Sequence, residues 1–112
     1  MSVTDVRVVL MTVPDAETGR SITRALVEDR LAACGNVLEG LTSVFRWNGQ
    51  VQAEAEALVI LKTSSERVAA MMERARGLHP YDVPELLALP VMDAHAPYVR
   101  WVLDETRAGP SA

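Results

Sequence analysis

Few residues in this chain have the means to do chemistry: one cysteine, Cys34; two histidines, His79 and His95; and Met11, a thioether inside a β-branched run. Cysteine beside histidine raises the question of nucleophilic catalysis, because a thiolate forms at neutral pH only with a base or cation close by. Cys34 stands in Ala32-Ala-Cys-Gly35 with no cation adjacent in sequence, which reads as a buried small apolar residue. The sequence holds no glycine-rich phosphate loop, no serine in a strand-to-helix elbow and no histidine pair at metal-ligand spacing. It points away from an enzyme.

A transition-metal site asks for imidazole, thiolate, thioether or carboxylate groups converging from separate segments. His79, Cys34 and Met11 are the ligands on offer, with an acid to complete the set, for copper(II) or another divalent ion that folding does not require. His79 lies in Leu78-His-Pro-Tyr-Asp-Val-Pro-Glu85, where two prolines stiffen an irregular stretch carrying imidazole, phenol and carboxylates. The competing reading has His79 cap the last carbonyls of a preceding helix while Tyr81 packs on the sheet. His95 reads as a surface residue, Met71 and Met72 as packing, and Glu54 and Glu56 as a solvated strand face.

These groups need elements to position them. A chain of 112 residues suits a single domain, expected over residues 1–107, with Ala108-Gly-Pro-Ser-Ala112 as a disordered tail. Eleven Lys and Arg against fifteen Asp and Glu give a net charge of −4, so no positive field draws in nucleic acid or an anionic membrane. No apolar run approaches the roughly 18 residues of a membrane span. The start MSVTDVR does not resemble a signal peptide, and a lone cysteine makes no internal disulfide. A soluble, cytoplasmic protein is the expectation.

The run Val6–Val13 reads as a central strand, followed by a helix that Asp15 caps and that carries Ile22, Ala25 and Leu26 on one face. From Cys34 to Phe45 a strand is kinked by glycines, and Asn48-Gly49 predicts a type I′ turn. Beyond it Val51, Ala53, Ala55 and Ala57 alternate with Gln52, Glu54 and Glu56 before the apolar run Leu58–Leu61. A second helix is expected from a Ser64 or Ser65 cap to a terminating Gly77, with Val68, Met71, Met72 and Ala75 inward. Pro90 confines the strand Glu85–Val91 to a sheet edge, and a last helix is expected to start at Asp93. The order β-α-β-β-α-β-α is that of an α+β ferredoxin-like sandwich: an antiparallel four-stranded sheet, two helices on one face and a C-terminal helix.

The hairpin over residues 41–62 extends about 30 Å at 3.3 Å per residue, while a compact domain of this size has a radius of gyration of only about 13 Å. Its small-chained face suits another subunit as cover, and a helix of the same chain is the alternative.

Arg30-Leu-Ala-Ala-Cys34, Phe45-Arg-Trp-Asn-Gly49, Leu61-Lys-Thr63, Leu78-His-Pro-Tyr-Asp-Val-Pro-Glu85 and Ala88-Leu-Pro90 together resemble the CutA divalent-cation tolerance proteins over nearly the whole chain. The resemblance implies a ferredoxin-like protomer, a homotrimer built through the long hairpins, a cytoplasmic location, divalent-metal binding (notably copper) and a link to metal tolerance, with no established catalysis. It associates metal with the histidine matching His79, and in some members with a histidine and a cysteine where this chain has Leu78 and Met11. The architecture is also similar to PII-type signalling trimers, which bind small ligands in clefts between subunits. Arg46, Trp47, Lys62, Tyr81 and Glu85 would border such a cleft here.

Overall fold

The structure is a computed structural model that describes residues 3–108. All but the first residue of the tail expected at 108–112 thus lies outside the described residues. The elements are β1 (Val6–Val13), α1 (Ala16–Glu28), β2 (Cys34–Trp47), β3 (Gln50–Ser64), α2 (Val68–Leu78), β4 (Leu87–Pro90) and α3 (Ala96–Glu105), with one 3-10 turn at Ser65–Arg67. The four strands form one sheet in the order β2-β3-β1-β4, every pairing antiparallel. This is the ferredoxin-like arrangement the sequence implies, with β2 and β4 at the edges.

Alternation in β1 and β3 sets the two faces of the sheet. Val9, Met11 and Val13 join Ala57, Val59 and Leu61 beneath Ile22 and Leu26 of α1 and Met71 and Ala75 of α2 in the main core. A smaller cluster of Val6, Ala33 and Val102 holds α3, with Val91 and Val99 packed against it. Cys34 pairs with Lys62, whose parity is opposite to that of buried Leu61, and the Cys34 thiol meets Tyr98 of α3. So α3 covers the other face.

Local chemistry accounts for the boundaries. The Asp15 carboxylate accepts a hydrogen bond from the Thr18 amide at 2.8 Å, capping α1 as its sequence predicts. Asn48 and Gly49 have φ of 50° and 76°, the pair of positive values a type I′ turn requires. Gly40, at φ +81°, sits where the β2–β3 register shifts between Leu38 and Leu41, so the kink is a bulge.

Three boundaries differ from expectation. Neither Ser64 nor Ser65 caps α2: the 3-10 turn intervenes and Arg67 precedes the helix without a side-chain cap bond. Gly77 lies inside α2, which runs on to Leu78. The last helix starts at Ala96 rather than Asp93, with a proline in its first turn as helix starts favour.

The main departure from compactness is the hairpin. β1 pairs with β3 only from Ala57 to Ser64, so residues 50–56 pair with 41–47 alone, as a two-stranded ribbon. Seven residues at 3.3 Å give an overhang of about 23 Å. The radius of gyration is 14.9 Å and the extents are 45 × 37 × 22 Å, against about 13 Å for a compact chain. Within the protomer the ribbon leaves Val44 and Val51 exposed at 69% and 64%, and Trp47 at 53%.

Candidate functional site

Beyond α2 the chain folds back toward the root of the ribbon, and the prolines Pro80 and Pro84 keep residues 79–86 out of helix and sheet. His79 is buried there, and both of its ring nitrogens are engaged. Nε2 lies 2.8 Å from the Thr12 carbonyl oxygen, and the Tyr81 amide reaches Nδ1 at 3.1 Å. A carbonyl only accepts and an amide only donates, which assigns the proton to Nε2 and the lone pair to Nδ1. The backbone amide of His79 donates to Ala75 O at 2.9 Å. The capping anticipated for His79 therefore comes from its main chain, while its ring ties the loop to β1.

Tyr81 continues the network. Its ring sits 4.8 Å from that of His79, and its hydroxyl donates to Glu56 Oε2 at 2.8 Å. Burial first, and then the carboxylates of Glu56, Glu54 and Asp15, push the phenol up to about 12. Glu56 thus does more than solvate a strand face: it anchors the loop to the ribbon. Sequence spacing gives no sign of a bond between residues 25 positions apart.

The three residues named as metal ligands are not brought together. Met11 is fully buried, with its side chain in the core beneath α1 and α2. Cys34 is on the opposite face of the sheet, 3.5 Å from Tyr98 Oη, and burial followed by the Cys34 contact pushes the Tyr98 phenol up to about 12. His79 is next to Met11 through Thr12, but its one lone pair is already an acceptor. These residues do not fit a single coordination set within one chain. Among the described residues no group of three His, Cys, Asp or Glu side chains is placed to hold an ion.

The five cleft residues are also dispersed. Arg46 and Trp47 flank the turn at the ribbon tip, opposite Val51 and Gln50. Lys62 lies eleven residues further along β3 than Val51, with its ammonium on Asn36 Oδ1, which at 3.3 Å per residue is about 36 Å away. Tyr81 is at the ribbon's root and Glu85 is exposed in the loop. A separate groove of about 340 Å³, lined by Asp15, Glu17, Thr18, Ser21 and Leu78 among others, contains none of them.

Comparisons with known proteins agree with one another. The chain is 46% identical over 99 residues to a "Divalent-cation tolerance protein CutA" of Thermus thermophilus, covering 88% of this chain and 96% of that protein. A mouse "Protein CutA" is 41% identical over 98 residues, and there this chain spans only 55% of the relative's length. The crystal structure of CutA from Xylella fastidiosa superposes with a TM-score of 0.90 at 36% identity, covering 92% of this chain and 99% of the other. CutA1 from Oryza sativa gives 0.90 at 37% identity, covering 96% and 98%. The model of the family described as CutA1 divalent ion tolerance protein matches residues 7–105. With the strand order, the ribbon and the His79–Tyr81 loop in place, the chain belongs to the CutA1 divalent ion tolerance family.

Proposed function

We propose that the protein works as a non-catalytic, cytoplasmic homotrimer that binds divalent cations, copper(II) foremost, in the service of metal-ion tolerance. The observation that carries the reading is the bare ribbon. Val44 and Val51 on one face of a two-stranded extension and Trp47 on the other are all more than half exposed; such a ribbon is marginal in water by itself, and here it leaves apolar side chains uncovered on both faces. Family membership supplies the cation, through relatives named for divalent-cation tolerance.

Assembly also offers what one chain lacks. With His79, Met11 and Cys34 apart, a cation is held by groups that subunits contribute jointly. His79 enters such a site only by surrendering the Tyr81 amide at Nδ1, because Nε2 carries the proton. Calorimetric titration of copper(II) into wild type and His79→Ala, each first shown to be folded, tests this. A lost or much reduced heat in the variant supports His79 as a ligand; an unchanged heat removes it.

A second reading has support of its own. Arg46 and Trp47 at the ribbon tip can approach Lys62, Tyr81 and Glu85 only if they belong to different subunits. That is the geometry of a PII-like trimer taking a small ligand between subunits. A thermal-shift screen of metal-free protein against metabolites distinguishes it, since a true ligand raises the midpoint with its concentration.

A further inference from the structure

The end of α1 places an arginine where glycine is the ordinary choice. Leu31 N donates to Leu26 O at 2.9 Å and Arg30 N to Val27 O at 3.1 Å, the two bonds of a Schellman motif with Arg30 at the left-handed position. Arg30 has φ of 60°, a conformation that costs any residue with a Cβ. The strain invites the question of what the side chain does in return.

Its guanidinium reaches across the molecule to α3. Nη2 donates to Asp104 O at 2.8 Å and Nε to Arg107 O at 3.2 Å. Asp104 lies in the last turn of α3 and Arg107 just beyond it, so the guanidinium sits at the negative end of the helix dipole. The Arg30 carbonyl in turn accepts from Arg67 Nε at 3.4 Å, so the same residue is braced from the start of α2.

Elsewhere α3 is lightly held. Val102 within it and Thr106 at its C-cap are its fully buried residues among those described, and the Val102 cluster is separate from the main core. Its N-cap residue, His95, makes no side-chain cap bond. Upstream, Val91 O is pinned by the Thr4 amide at 3.0 Å and the Thr4 hydroxyl at 2.7 Å, after which residues 92–95 run exposed and without regular structure into the helix.

We infer that α3 is a hinged cover, fastened at its C-terminal end by Arg30, and that it opens as a unit while the sheet, α1 and α2 stay folded. Residues 92–95 are the hinge. Opening parts Tyr98 from Cys34 and uncovers the thiol, which lies opposite Lys62 in the β2–β3 register. Units with few buried contacts and a concentrated fastening are where proteins open first. Both bonds of the clasp lie within one protomer, and neither involves a group named as a metal ligand.

Arg30→Gly separates the clasp from the turn, because glycine keeps the left-handed conformation without strain while the side chain that reaches α3 is removed. Hydrogen exchange of the full-length protein, read by mass spectrometry, should show α3 exchanging before β1 and β3 in wild type. In Arg30→Gly, α3 should exchange roughly tenfold faster, about the loss of one charge-assisted fastening, with β1 and β3 unchanged and the melting temperature held or raised. Alkylation of Cys34 by iodoacetamide should accelerate in parallel. Exchange of α3 that is unchanged in the variant, or that accelerates equally in all elements, overturns the inference. So does a Cys34 alkylation rate that does not follow α3.

Discussion

The Tyr81 hydroxyl donates to Glu56 Oε2 at 2.8 Å, joining the loop after α2 to the strand that leads into the ribbon. Both tyrosines of the chain are pushed up to about 12, chiefly by burial, with Glu56 assisting at Tyr81 and Cys34 at Tyr98. In the unfolded chain a phenol ionises near its ordinary value of about 10. Below that pH both states are protonated and the contribution to stability is complete. As pH rises from 10 toward 12 the unfolded state loses its phenolic protons first, so stability falls across that window. Ultraviolet titration of the native protein should find no phenolate at pH 10.5, and Glu56→Gln should bring one of the two phenols part of the way back toward 10. Half-ionised phenols at pH 10 in the wild type would contradict the burial assigned to them.

Gly35 sits where β2 passes under α1, and a Cβ there would meet Thr23 Cγ2 at 2.5 Å and Leu61 Cδ2 at 2.8 Å. Both neighbours are buried, so neither can swing aside into solvent. Gly35→Ala should lower the unfolding free energy by about 1–3 kcal/mol, the usual cost of overpacking. Urea denaturation measures it, and an unchanged midpoint would show that α1 can lift off β2 at little cost.

How far the sequence reveals these relationships depends on their range. The Asp15 cap, the Asn48-Gly49 turn and the Pro90 edge strand follow from one or a few adjacent residues, and the structure has each of them. The edge strand itself is shorter than its apolar run, because β1 pairs with it only from Arg7 to Leu10. The start of α2 was less legible: two serines at 64 and 65 resemble caps, yet Ser64 ends β3 and its buried hydroxyl finds no partner. Gly77 resembled a helix stop and is interior to α2.

The site was legible as a segment but not as a geometry. The His-Pro-Tyr segment stands out in sequence as a stiffened polar loop, whereas the partners its side chains take, Thr12 and Glu56, are 67 and 25 residues away. Lys62, the cation opposite Cys34, is likewise adjacent only through strand pairing. Arg30 left no local trace, because many helices end without a left-handed residue and arginine is not among the residues that favour that conformation.

Val44 tests the covering of the ribbon. In the protomer it is 69% exposed, and a surface substitution there would ordinarily change stability by less than about 0.5 kcal/mol. If a neighbouring subunit covers it, Val44→Glu buries a charge, and the variant should melt at least about 5 °C lower, since 1 kcal/mol moves the midpoint of a domain this size by roughly 4–8 °C. An unaltered melting temperature would leave the ribbon bare in solution.

The central claim is assembly through that ribbon, and sedimentation equilibrium at micromolar concentration tests it most directly. The expected result is a single folded species of three times the 12.2 kDa chain mass. A stable, folded species of one chain mass at that dilution would contradict it, and with it any site shared between subunits.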